Sequence, residues 1–201
     1  MNKRLAWLCI IGGILWGVKP IYDVLVNGRE MNTGYTPTDP TDYIKFIFPL
    51  LCLGALRIIY NAYKKNVRNS VLILSVAVIL TGLFHFFEIY FYDSSLPFGF
   101  IFLFFGILGM IVGSLYLFIQ LRKVKGTTNL LALAVFVLFL DNFLLVVLAF
   151  LTELLPVTIS DPIMATLMIS VGFIWAFIGA ALLKGEDKGT GPLTRNHETS
   201  K

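Results

Sequence analysis

Apolar residues in this chain do not alternate with polar ones. They come in long runs, each closed by a short cluster of charged residues, glycine or proline. A bilayer's hydrocarbon core, about 30 Å thick, is crossed by a helix of about 20 apolar residues, so these runs predict transmembrane helices. Six emerge, at about 5–26, 43–63, 70–92, 97–121, 129–151 and 162–183. Pro20 lies near the outer end of the first and is expected to kink it. Pro97 opens the fourth, a position where proline is favoured. The expected fold is all-α: a polytopic six-transmembrane-helix bundle over 1–184, followed by a tail over 185–201. That tail, "GEDKGTGPLTRNHETSK", has the polar, glycine- and proline-containing composition of a disordered segment.

Composition supports the membrane reading. Of 201 residues 57% are hydrophobic and 14% charged, against about 45–50% apolar and about 25% charged in soluble domains. The start, "MNKRLAWLCIIGGILWGV", has the basic-then-apolar order of a signal peptide. No small-residue cleavage pattern follows, and the run continues through "KPIYDVLV", so an uncleaved first helix is expected. Cys9 and Cys52 sit inside apolar runs; their spacing offers neither a disulfide framework nor a zinc site, and they read as small hydrophobes. The "GTG" of the tail has no strand before it and no helix after it, which excludes a nucleotide loop, and His197 beside it reads as a solvated residue. No cofactor, metal or nucleic-acid partner is indicated.

Charge placement orients the bundle. Lys3 and Arg4, then Lys64, Lys65 and Arg68, then Arg122, Lys123 and Lys125, and finally Lys184, Lys188, Arg195 and Lys201 make up 12 of the 16 basic residues. All fall on one side of a six-span layout. Glu30, Asp39, Asp42, Asp93, Glu153 and Asp161 fall on the other, with Arg29 nearly alone among them. Loops rich in Lys and Arg stay cytoplasmic, so both termini are expected inside. Compactness, minimal loops and the lack of N-x-S/T sequons point to a bacterial plasma membrane.

A repeat is suggested by three matches. "ILWGVKPIYD" (14–23) aligns with "ILTGLFHFFE" (79–88), "GILGMIVG" (106–113) with "GFIWAFIG" (172–179), and "FIFPLLCLG" (46–54) with "FIFLFFGILG" (100–109). They would make three helical hairpins, 1–2, 3–4 and 5–6, in parallel rather than inverted relation. Gly13/Gly17 and Gly109/Gly113 are small-xxx-small pairs that let helices approach closely, read here as packing inside one bundle.

The candidate chemistry lies in the few ionisable residues of the spans, which are costly in hydrocarbon and normally face the bundle interior with partners. Asp141, beside Asn142, falls about 18 Å along helix 5, close to mid-membrane; it needs a partner, a water cavity or a proton. His85 and Glu88, one turn apart on helix 3, lie in the outer half, as do Lys19 and Asp23 on helix 1. Thr81, His85, Glu88 and Tyr92 recur at helical spacing, a stripe expected to face Lys19, Asp23 and Asp141. Lys45 reads as interfacial, and Arg57 as snorkelling to headgroups.

Three functions are compatible with this cluster. The preferred one is a small-solute or proton-linked carrier, with Asp141 as proton or cation acceptor and His85 as titrating relay. A continuous polar path through the cytoplasmic half is not visible, which weighs against it. The second is a non-catalytic accessory, immunity or sensor protein. The third is a membrane-embedded enzyme acting on a lipid or isoprenoid, with His85, Glu88 and Asp141 as its acid–base set. With one histidine in the spans and no H-E-x-x-H motif, a non-enzymatic role is favoured. The partners these readings allow are the bilayer, a small-molecule or ion ligand, and an oligomer or partner membrane protein.

Overall fold

The structure, a computed structural model, describes residues 3–25, 40–91, 96–124, 127, 129–154 and 161–187. Among these residues there is no strand. Six α-helices follow one another: α1 (Lys3–Leu25), α2 (Ile47–Leu51), α3 (Leu53–Tyr90), α4 (Leu96–Lys123), α5 (Asn129–Leu154) and α6 (Asp161–Asp187), with a short 3-10 turn, Asp42–Ile44, ahead of α2. The predicted tail and most of the first outer loop lie outside the described residues, as does Tyr92.

Helices α1, α4, α5 and α6 follow the apolar runs closely, and α1 continues through Pro20 to Leu25. The second and third predicted spans come out differently. Pro49 has no N–H to offer Lys45, and the backbone tightens after it: Cys52 bonds Pro49 at 2.9 Å and Ala55 bonds Cys52 at 3.1 Å, each three residues back. That tight turn separates α2 from α3. Beyond it the expected loop at 64–69 is helical. No glycine or proline occurs between Gly54 and Gly82, and lysine and arginine are good helix formers, so the helix carries on through the basic cluster. One residue departs from it, Tyr63, with φ −123° and ψ 21°.

At Tyr63 the chain doubles back. Phe46 packs edge-to-face on Phe86 with ring centroids 5.5 Å apart. A side chain at Gly82 would meet Leu50 at 3.1 Å. The Tyr90 hydroxyl donates to the Tyr43 carbonyl at 3.4 Å. Residues 43–50 therefore lie antiparallel against 82–90.

The rods form a closed circuit. α1 packs against α2 and the start of α3, α3 against α4, α4 against α5, α5 against α6, and α6 against α1. The closure between α1 and α6 is very tight: a Cβ at Gly172 would lie 2.7 Å from the Gly13 carbonyl oxygen, and one at Gly13 would lie 2.5 Å from that of Gly172. Only glycine permits this approach. The interior is largely apolar toward the end holding Arg68, Arg122 and Lys184, its buried polar exceptions among the described residues being Ser114 and Ser70, which donates to Gln120 at 2.6 Å. Leu56, Ile59, Leu74, Leu117, Leu121, Leu131, Trp175 and Leu182 are fully enclosed there and at mid-height. Large apolar side chains cover the outside, among them Trp7, Leu72, Phe104, Phe105, Leu133 and Phe150.

Five helical stretches are long and apolar enough to cross a membrane: Lys3–Asp23, Asn66–Tyr90, Ile101–Lys123, Asn129–Leu151 and Thr166–Lys184. The chain is a multi-pass membrane protein by this measure, with an apolar exterior suited to lipid.

Candidate functional site

The polar residues expected to cluster are brought into two places. The first is at the end of the bundle where α1 and α3 finish. Lys19 reaches Asp23, one turn along its own helix, at 2.5 Å. It also meets Asp42 at 2.6 Å. Three residues on, Lys45 meets Glu88 of α3 at 2.7 Å, and the same Oε2 of Glu88 lies 3.3 Å from His85 Nδ1. Lys45 also feels the charges of Asp42 and Asp23. The six side chains thus form one electrostatic group built from α1, the 3-10 turn and the far end of α3. It pairs two ammonium groups with three carboxylates. His85 is the sixth member, and a proton on it balances the group.

Burial grades across this group. Asp42 has no exposed side-chain surface, whereas Glu88 and His85 retain 23% and 20%. A buried carboxylate needs compensation, and Lys19 supplies it. The exposed edge is the half that can exchange protons or bind an incoming polar group. Phe84, with its ring 5.2 Å from the imidazole, walls His85 on one side.

The second place is between α5 and α6. The Ser170 hydroxyl donates to Asp141 Oδ1 and also bonds the Leu167 carbonyl at 2.8 Å. Asp141 Oδ2 is buried and has no hydrogen-bond partner among the described residues. No hydrogen bond or ion pair links Asp141 to the first group. Asn142 is occupied locally, its amide donating to the Leu138 carbonyl at 2.9 Å. Thr81 likewise donates to the Ala77 carbonyl at 3.0 Å, and it faces α4, where a side chain at Gly106 would touch its hydroxyl at 2.9 Å. The stripe on α3 is therefore shared: Thr81 fits the α4 interface, and Glu88 turns to Lys45. Among the described residues no group of three or more His, Cys, Asp or Glu is placed to hold a metal ion.

Two members of the first group were not singled out by sequence reading. Asp42 reads as one of several outer-loop acids and Lys45 as an interfacial cation. Their spacing of three, ahead of an apolar run, is the available signal: on a helical turn it puts both on one face.

Comparison with protein-family models, with curated proteins and with solved structures finds no match.

Proposed function

We propose that the protein is a small proton-linked carrier, with the Lys19–Asp23–Asp42–Lys45–His85–Glu88 group as the outward-facing site for a proton or small polar solute. One observation carries this reading: Glu88 holds Lys45 and His85 on the same carboxylate oxygen at a partly exposed edge, while Lys19 and Asp42 are buried and paired. Ionisable residues inside a membrane protein mark solute and proton routes. Histidine is the side chain whose ordinary titration falls near neutral pH.

In this reading the chain crosses the membrane six times. Residues 42–62 form the additional crossing, because 43–50 lie against 82–90 and the chain doubles back at Tyr63. Both termini are cytoplasmic, as the basic residues at 3–4, 64–68, 122–125 and 184 favour. The site then faces outward, in the plasma membrane of a bacterium.

A sensor or accessory role is the second reading. The largely apolar interior at the basic end, without a charged side chain among its buried described residues, favours it, since a titratable group open to one side alone suits sensing. Reconstituted vesicles separate the two. A pH-sensitive dye inside them reports acid-driven flux, and impermeant labelling of Lys201→Cys reports orientation. A carrier gives flux above protein-free vesicles that falls about a hundredfold in His85→Gln and Glu88→Gln, the lower end of what general acid–base groups contribute. Absence of flux in the wild type sinks the carrier reading and moves the sensor reading to first place.

A further inference from the structure

A groove of about 430 Å³ runs along the outside of α5 and α6, with Leu133, Val137, Thr166, Ser170, Phe173 and Phe177 among its walls. Leu133, Val137, Phe173 and Phe177 are each more than a third exposed, on the face that meets lipid. The volume falls in the range of sites for compact ligands, about 300–1,000 Å³. One feature separates it from an ordinary seam between helices. Ser170, in its wall, donates to Asp141 Oδ1, and the other carboxylate oxygen is buried without a hydrogen-bond partner among the described residues. Asp141 is not itself one of the groove's walls: it stands one turn beyond Val137 on α5, behind Ser170, and its bond to that serine ties it to the wall.

We propose that this groove binds a compact lipophilic amine from the bilayer, its ammonium reaching Asp141 by displacing the Ser170 hydroxyl and its hydrocarbon part against Val137, Phe173 and Phe177. The charge of the acid selects a cation, and the groove supplies apolar area for the rest of the molecule. Depth narrows the class further. Asp141 stands near the middle of α5, about 18–20 Å from either end. A phospholipid's ammonium stays at headgroup level and does not reach it; a small amphiphile with its nitrogen at one end does. The Asp141–amine pair stabilises both partners, since an ammonium and a carboxylate that are each costly alone in hydrocarbon form a charge-assisted hydrogen bond. This site does not rest on the carrier reading, because it shares no residue with the outer group.

The test compares dodecylamine with dodecanol, matched in shape and differing in charge, on the protein in lipid nanodiscs with empty discs subtracted. Saturable amine binding is expected in the wild type. Asp141→Asn should weaken it about tenfold or more while leaving dodecanol unchanged. Val137→Trp, which fills the groove from the lipid side, should block both. Thermal melting checks each variant for folding; if Asp141→Asn is unfolded, Val137→Trp decides. No saturable amine binding in the wild type overturns the site, as does an Asp141→Asn or a Val137→Trp protein that melts normally and binds the amine as wild type does. A dimer that Val137→Trp dissociates makes the groove a contact between two copies and also overturns it.

Discussion

Removing the ammonium of Lys45 leaves Glu88 with His85 alone as its partner in a mostly buried setting. A charged group deprived of its hydrogen-bonding partner costs about 1–3 kcal/mol, so Lys45→Met should lower stability by about 2 kcal/mol in detergent melting. Neutralising the acid as well should restore part of that loss, because Lys45→Met with Glu88→Gln leaves no unpaired charge. Strictly additive losses in this double-mutant cycle would show that the two residues are not coupled. At this scale the sequence is legible where partners are neighbours. Lys19 with Asp23 and His85 with Glu88 follow from spacings of four and three on a helix. Lys45 with Glu88 does not, because 43 residues separate them and nothing in a single chain records which apolar runs lie side by side. Asp141 was legible as a deep, costly acid; its bond to Ser170 was not, for the same reason.

Among the elements, the glycines of the α1–α6 contact hold backbones together, so their substitution acts on whole helices. A methyl group at Gly172 meets Gly13 and Gly17 backbone atoms at about van der Waals overlap, 2.8 Å or less. Gly172→Ala should therefore destabilise by about 1–3 kcal/mol, as overpacking does. Gly99→Ala is the control: its methyl would find only Phe84 ring atoms, the nearest at 3.7 Å, and melting should be unchanged or slightly higher. Equal melting of the two variants would mean that α1 and α6 are not in backbone contact. Helix existence was readable from run length alone, and Gly13/Gly17 do pack within one bundle. What could not be read is the helical state of 64–69. A charge cluster between two apolar runs has the composition of a loop, and the reversal at Tyr63 carries no glycine or proline to announce it.

For the molecule as a whole, the contact between α1 and the residues around α2 fixes how the circuit closes on that side. Cys9 and Cys52 are both fully buried and near enough to interact electrostatically, the Cys9 thiol donating to the Trp175 carbonyl at 3.2 Å and the Cys52 thiol to that of Phe48 at 3.7 Å. They are bracketed by close approaches: a side chain at Gly12 would meet the Phe48 carbonyl at 2.8 Å, and Gly54 lies against Leu5. Iodine, a small two-electron oxidant that enters membranes, should join the two thiols with loss of two protons. Maleimide labelling in detergent-unfolded protein would then fall, and Cys9→Ser would leave one thiol labelled after the same treatment. Two free thiols after iodine would place Cys52 away from Cys9 and count against the proposed sixth crossing. The suggested repeat fares differently at this scale. Gly106 and Gly113 face α3, the helix before them, whereas Gly172 and Gly179 face α1, at the other end of the chain. Equal spacing in the sequence thus serves two unlike neighbours, which local pattern cannot distinguish.

The reversal at Tyr63 also has a mechanical meaning. A loop between two helices would let each slide or tilt alone; here one residue joins them, so any opening of their far ends turns about a common pivot. Lys45 and Glu88 sit toward those ends, like the tips of tongs, 18 and 25 residues from Tyr63, or about 27 and 37 Å at 1.5 Å of rise per residue. A rotation of about 5° at Tyr63 separates tips at those distances by about 2–3 Å, enough to part the two charges. A change of a few degrees in one backbone pair at the basic face is thus coupled by leverage alone to whether the ion pair at the opposite face is closed or open.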